Sequence, residues 1–205
     1  MNCAVQRIPV LCIDQTMELR QSGKTDHQSI QGLTAGDSTM TTQIRAATQE
    51  DAQAIATIYN YYIDNSIITF EEEQVTAAEI AERINETATE QLPYLVLEKE
   101  GVVQGYAYAS KWKGRCAYRY SVETTVYLAH DAGGNGFGTQ LYETLFDELR
   151  ERSYHIAIAG ISLPNDASVA LHEKFGMEKV AHFKEVGFKF GDWVDVGYWQ
   201  CSLSA

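Results

Sequence analysis

The sequence predicts a mixed α/β sheet with helices on both faces. Three observations carry that reading. Periodic segments after Gln43 follow the order βααβββαβαββ. Two turn signals, Glu100-Gly101 and Gly191-Asp192, fold neighbouring strands back on each other. A glycine-rich connection, His130 to Gly138, joins a strand to an amphipathic helix.

In chain order, Gln43 to Ala47 is a short strand. Thr48-Gln-Glu-Asp51 resembles a capping box ahead of a helix with Ile55, Ile58, Tyr59 and Tyr62 on one face. Thr76-Ala-Ala-Glu79 starts a second helix carrying Ile80 and Ile84. Tyr94 to Glu98 and Val102 to Ser110 form a hairpin, and Arg119 to Ala129 is a longer strand. A helix from Phe137 to Arg152 places Leu141, Leu145 and Leu149 on one side. A strand, His155 to Ile161, leads to a helix from Asn165 to Phe175 that Gly176 stops. Two strands around Gly191-Asp192 close the chain, and no internal repeat occurs.

Composition narrows the function. The 205 residues suit one domain, and 45% hydrophobic with 21% charged residues excludes wholesale disorder. No run of about 18 apolar residues offers a membrane span, so no membrane partner is expected. A formal charge of −12 argues against nucleic acid as a partner, and an anionic ligand would need fixed local groups to hold it. Cys3, Cys12, Cys116 and Cys201 show no CxxC spacing, which points to a reducing, cytoplasmic setting rather than a disulfide framework. The histidines at 27, 130, 155, 172 and 182 form no ligand set, so no metal is expected. Residues 1–42 are rich in Ser, Thr, Gln and Gly toward their end and lack a secretory pattern. They read as a mobile extension ahead of a domain at 43–205, with the functional polypeptide starting near Met40.

The glycine loop is a candidate phosphate cradle, because glycines allow close backbone approach where a helix leaves N–H groups unpaired. A plain tight turn is the alternative. A dinucleotide fingerprint fails because residue 139 is Thr and residue 141 is Leu, and a Walker loop fails because Thr139-Gln140 follows Gly138.

The sequence becomes more specific when separated motifs are taken together. The glycine loop, Gly133-Gly-Asn-Gly-Phe-Gly138, is followed by Leu163-Pro-Asn-Asp-Ala-Ser-Val-Ala-Leu-His-Glu-Lys-Phe-Gly-Met177. This arrangement resembles the GNAT family of acyl-CoA-dependent N-acetyltransferases. Trp112-Lys-Gly-Arg115, Val122-Glu-Thr-Thr-Val-Tyr127 and Val186-Gly-Phe-Lys-Phe-Gly-Asp-Trp193 resemble its phosphinothricin (methionine sulfoximine) N-acetyltransferase group. The resemblance spans about residues 43–202. It implies the GNAT fold with a mostly antiparallel sheet, acetyl-CoA as co-substrate, a small acidic amino acid as acceptor and a homodimer.

The resemblance also assigns residues. Glu123 shares a strand face with Thr125 and Tyr127 and becomes the expected general base; a solvent-facing glutamate is the alternative. Main-chain groups of Thr125, Val126, Tyr127 and Leu128 are expected to receive the pantetheine arm at a bulge, with the Val126 N–H polarising the thioester carbonyl. The diphosphate falls to Gly134, Asn135, Gly136, Phe137, Gly138 and Thr139, and further coenzyme A contacts to Asn165 and Ser168. His172 either protonates the leaving thiolate or packs against its own helix. Lys113 and Arg115 are expected to bind acidic groups of the acceptor, or else to sit on a solvated turn. Phe70 lines the acceptor pocket or belongs to the core, together with Thr125 and Tyr127 on the acceptor side. Trp193 and Trp199 are expected in the core. Family loops often carry Arg or Lys where this chain has Gly133 and Asn135, so weaker coenzyme A affinity is expected. Two rival readings stay open: a broader amino-acid or amine N-acyltransferase, and a coenzyme A-binding module with little turnover.

Overall fold

The computed structural model describes residues 42–204. The expected mobile extension, and the expected start near Met40, lie outside the described residues.

Elements follow the order β1 (Thr42–Ala46), α1 (Ala52–Asn65), α2 (Ala77–Thr89), β2 (Tyr94–Lys99), β3 (Val102–Lys111), β4 (Ser121–Leu128), α3 (Phe137–Glu151), β5 (Ile156–Leu163), α4 (Asp166–Lys174), β6 (Glu178–Lys189) and β7 (Asp192–Ser202). The seven strands form one sheet in the order β1-β2-β3-β4-β5-β7-β6. Every neighbouring pair is antiparallel except β4 and β5, which α3 connects as a parallel crossover.

Local chemistry explains the boundaries. Thr48 donates from its N–H and its hydroxyl to Asp51 Oδ2 at 2.8 and 3.1 Å, opening a 3-10 turn that runs into α1. The Arg45 guanidinium grips both Asp51 oxygens at 2.7 Å and reaches Glu98 at 2.8 Å, tying β1, β2 and α1 together. That hydrogen-bonded pairing holds the Asp51 carboxyl below the usual carboxylate range. At α2 the capping box is complete: Thr76 N–H donates to Glu79 Oε2 at 2.7 Å, and Glu79 N–H donates to Thr76 Oγ1 at 3.2 Å. Glu100 and Gly101 are both left-handed, as a two-residue hairpin turn requires. The last hairpin turns one residue earlier than its sequence signal, on left-handed Phe190 and Gly191. β4 starts at Ser121 rather than Arg119, because Cys116–Tyr118 closes a 3-10 turn on the carbonyl of Arg115.

Apolar side chains cover both faces. Ile55, Ile63, Ile80 and Ile84 of α1 and α2 pack on Val96 and Tyr106. Leu141, Leu145, Phe146 and Leu149 of α3 pack on Leu97, Ala107, Val122 and Ala159 from the other side. Each fully buried leucine contributes about 1.5–3 kcal/mol of transfer free energy. Trp199 is buried as expected, but Trp193 stands 65% exposed on the final hairpin, correcting its assignment to the core.

Candidate active site

Strands β4 and β5 pair over three residues only, Ser121 with Ile156, Val122 with Ala157 and Glu123 with Ile158. Beyond Glu123 they part. No register shift interrupts β4 against β3, which runs unbroken from Gly105–Leu128 to Lys111–Val122. The expected bulge is therefore absent from this ladder, and the opening arises where parallel pairing ends. Ala129 N–H donates to Gln104 O, and Trp112 N–H to Ser121 O, near the two ends of the β3–β4 ladder. Antiparallel alternation then turns the main chain of Thr125 and Tyr127 toward β3, and that of Thr124, Val126 and Leu128 toward the gap. The Val126 main chain faces the gap, as its expected role requires. Thr125 and Tyr127 do not: they can offer a ligand side chains alone. The Leu128 carbonyl also accepts from the Tyr62 hydroxyl at 2.8 Å.

Glu123 sits at the apex of the opening. It lines a cavity of about 660 Å³ with Ile68, Phe70, Gly160, Ser162, Phe183, Val186, Gly187, Phe188, Val196 and Tyr198. Burial pushes its carboxyl above the ordinary glutamate range, and the Lys113 ammonium partly offsets this. A Cβ on Gly160 would stand 3.4 Å from Glu123 Oε1, so glycine keeps one carboxylate oxygen open to the cavity. Gly187 makes room in turn for Phe70, whose ring edge takes the place a Cβ would occupy there. Phe70 is 40% exposed, which places it on the cavity wall rather than in the core. Its segment is held by the Lys189 ammonium, which donates to Thr69 O at 2.8 Å, and by Tyr59 and Thr69 hydroxyls 2.7 Å apart.

A second cavity, about 90 Å³, occupies the gap itself. Thr124, Thr125, Val126, Tyr127, Tyr142, Ile161, Asn165, Ser168 and His172 line it, and it shares Ile68, Gly160 and Ser162 with the first. Asn165 caps α4 by accepting from Ser168 N–H at 3.2 Å. His172 is buried between two partners. Its Nδ1 lies 2.6 Å from Ser168 O, which can only accept, so Nδ1 carries the proton. Nε2 then accepts from the Tyr142 hydroxyl at 2.8 Å. Burial lowers the imidazole pKa, outweighing the Ser168 carbonyl. A neutral ring with both nitrogens engaged has no proton for a leaving group, so this geometry favours the packing reading of His172.

The glycine loop ends in Gly136, which is left-handed and offers no side-chain cap to α3. The first-turn N–H groups at Phe137, Gly138 and Thr139 therefore lack intrahelical partners. A Cβ at Gly133, Gly134 or Gly136 would meet nothing within 4 Å, so the main chain is open to a bulky anion. Asn135 folds back onto the loop, its amide donating to Ala132 O at 3.1 Å and Gly133 O at 3.3 Å. A cation arrives from elsewhere. Lys174 of α4 donates to Thr139 Oγ1 at 3.2 Å, beside the open amides. Sequence reasoning missed it, because no local spacing links the end of one helix to the start of another.

The acceptor cations divide. Lys113 lies over the Trp112 ring at 4.6 Å and acts electrostatically on Glu123. Arg115 is exposed before its 3-10 turn, and neither cation is among the residues that line the Glu123 cavity. A larger cavity, about 970 Å³, opens between α2 and Tyr94, Tyr106 and Tyr108, and it holds none of the residues read as catalytic.

Residues 44–197 match the acetyltransferase (GNAT) domain family. A phosphinothricin N-acetyltransferase of Streptomyces viridochromogenes is 41% identical over 158 residues, covering 77% of this chain and 86% of its own. An L-methionine sulfoximine/L-methionine sulfone acetyltransferase of Salmonella typhimurium is 36% identical, covering 78% and 94%. Among solved structures, a GNAT superfamily phosphinothricin acetyltransferase from Sinorhizobium meliloti in complex with acetyl-CoA is 36% identical. It superposes with a TM-score of 0.78 over 80% of this chain and 90% of that one. The parted strands, the open glycine loop and these matches agree, and the chain belongs to the GNAT acetyltransferase family.

Proposed function

We propose that the protein transfers acetyl from acetyl-CoA to the α-amine of a small acidic amino acid or an analogue of the phosphinothricin or methionine sulfoximine type. One observation carries this: a carboxylate of raised pKa stands at the apex of a strand opening, where a narrow gap meets an acceptor-sized cavity. The gap and the loop suit acetyl-CoA. Main-chain groups of Val126 and Leu128 receive the pantetheine, and amides at 134–139, with Lys174, receive the diphosphate. Bound there, the thioester supplies an activated acetyl group.

The chain's own residues do the rest. Glu123 takes the proton from the acceptor nitrogen; an α-amino group has a pKa of about 8, so a carboxylate raised by burial is a sufficient partner. The Val126 N–H faces the thioester carbonyl and stabilises the oxyanion. Lys113 attracts the acceptor's acidic groups, while Phe70 and Tyr198 wall the pocket and orient the amine. A broader amino-acid N-acyltransferase is the second reading, favoured by an acceptor cavity whose volume reaches the range of drug-sized ligand sites.

We place the enzyme in the cytoplasm, a setting consistent with the free thiols of Cys116 and Cys201. Among the described residues no helix is long and apolar enough to cross a membrane. A homodimer is supported by the exposed strip Phe183, Val186, Phe188, Phe190 and Trp193 on the last hairpin.

The test is thiol release from acetyl-CoA across a panel of amino acids, with Glu123→Gln as control. Turnover confined to acidic acceptors and analogues, lost about 10²–10⁴-fold in the variant, is the expected result. Equal rates across the panel would favour the broader enzyme, and equal rates for parent and variant would overturn the assignment of Glu123.

A further inference from the structure

Ser162 carries a polar group for which the fold supplies no partner. Its residue is 5% exposed, and its hydroxyl makes no hydrogen bond among the described residues. Burying a hydroxyl unsatisfied costs free energy, and such groups persist where a ligand satisfies them. The position is specific. Gly160 faces Glu123, since a Cβ there would lie 3.4 Å from Oε1, and strand alternation puts Ser162 on the same face two residues on. Three residues line both the gap and the acceptor cavity, namely Ile68, Gly160 and Ser162. Ser162 alone of the three has a polar side chain, so it marks the passage that an acyl group must cross.

The other polar groups at this passage have their tasks. Ionised Glu123 can only accept. The Val126 N–H approaches from β4, across the gap, and is suited to the carbonyl oxygen. His172 donates its proton to Ser168 O and accepts from Tyr142, leaving nothing for sulfur. Asn165 and Ser168 also line the gap but not the acceptor cavity, so among the described residues Ser162 is the unsatisfied polar side chain at the junction of the two.

We infer that the Ser162 hydroxyl is the hydrogen-bond donor to the thioester sulfur of acetyl-CoA as it leaves, a role that rests on the acyl-transfer reading above. The acceptor nitrogen bonds to the carbonyl carbon, and Glu123 takes the proton from that nitrogen. The C–S bond breaks with its electron pair going to sulfur, where negative charge develops. Ser162 O–H donates to that charge and keeps its proton, because an alcohol is a far weaker acid than a thiol, whose pKa is about 8.5 in a cysteine. The thiolate is protonated by water on release. Removing the hydroxyl raises the barrier without weakening ground-state binding, the signature of an interaction formed in the transition state.

The experiment measures single-turnover acetyl transfer by Ser162→Ala and Ser162→Thr, using acetyl-CoA and its selenoester counterpart, together with thermal unfolding. A charge-assisted hydrogen bond predicts a fall of about 10- to 100-fold in Ser162→Ala with acetyl-CoA. Dissociation constants for both substrates should stay within about twofold, and Tm should not drop, since no protein contact is lost. Ser162→Thr should retain most of the rate. With the selenoester, whose leaving group is a weaker base, the Ser162→Ala deficit should shrink to about threefold or less. Weaker acceptor binding at an unchanged rate, an equal deficit with both donors, or no deficit would each overturn the proposal while the parent still turned over. A parent that never releases thiol would overturn the acyl-transfer reading itself, and this role with it.

Discussion

Replacing Gly160 by alanine tests where the acceptor amine meets the carboxylate. The added methyl would lie 3.2 Å from Tyr198 Cε1, 3.4 Å from Glu123 Oε1 and 3.4 Å from Tyr198 Cζ. The first contact requires a shift of a few tenths of an ångström, and the Tyr198 ring, half-buried at the cavity wall, can give it. Losing a glycine from a strand interior favours folding by about 0.5–1 kcal/mol, and mild overpacking opposes it by about 1 kcal/mol or slightly more. The two nearly cancel, so Tm should move by no more than about 2–4 °C. Function should not be spared. The methyl covers the exposed oxygen of Glu123, raises the cost of its charge further and blocks the approach of an amine. A misplacement of about 1 Å can cost 10²-fold in rate, so kcat/KM for the acceptor should fall by about 10- to 100-fold, with the acid limb of its pH profile moving up. Thiol release measured across pH, beside a melting curve, reads both effects. A folded variant with kcat/KM within twofold of the parent would refute the claim that the amine approaches Glu123 past Gly160.

Glu123→Gln should raise stability at neutral pH while abolishing most turnover. The folded-state pKa of Glu123 lies above its ordinary value, so folding favours the neutral form, and ionisation costs stability as pH rises above the unfolded carboxylate range. The gain in Tm should therefore be present at pH 7 and vanish in acid; a loss at pH 7 would contradict the burial argument. Lys174→Ala should raise KM for acetyl-CoA several-fold at low salt, with the difference closing as screening increases. Gly133→Arg should lower that KM, most clearly in the Lys174→Ala background, and no change in either would leave the main-chain amides as the sole anchor.

Much of the architecture was legible because it is written locally. Thr48, Thr76 and Asn165 cap their helices through contacts with residues three positions on, and Glu100-Gly101 turns where its backbone freedom allows. Strand parity put Glu123, Thr125 and Tyr127 on one face, and Val122 on the buried one. What could not be read depends on partners distant in sequence. The end of β4–β5 pairing at Glu123–Ile158 opens the gap, and alternation along the β3–β4 ladder turns the main chain of Thr125 and Tyr127 away from it. The sequence leaves His172 between donor and packing residue, and only Ser168 O and the Tyr142 hydroxyl, contacts of the folded chain, weigh toward packing. Lys174 reaches the start of α3 from another helix, and neither Lys113 nor Arg115 is among the residues that line the acceptor cavity. Ser162 lies one residue past the strand read from the sequence, His155 to Ile161, and β5 reaches it only because its pairing with β7 runs on to Leu163.

A crystal structure of the protein with coenzyme A bound measures the main point most directly. The diphosphate should lie on the amides of 134–139 beside Lys174, and the sulfur between Val126 and Ser162, within reach of an amine held by Glu123. A nucleotide seated away from that loop, or a thiol arm that leaves the β4–β5 opening empty, would contradict it.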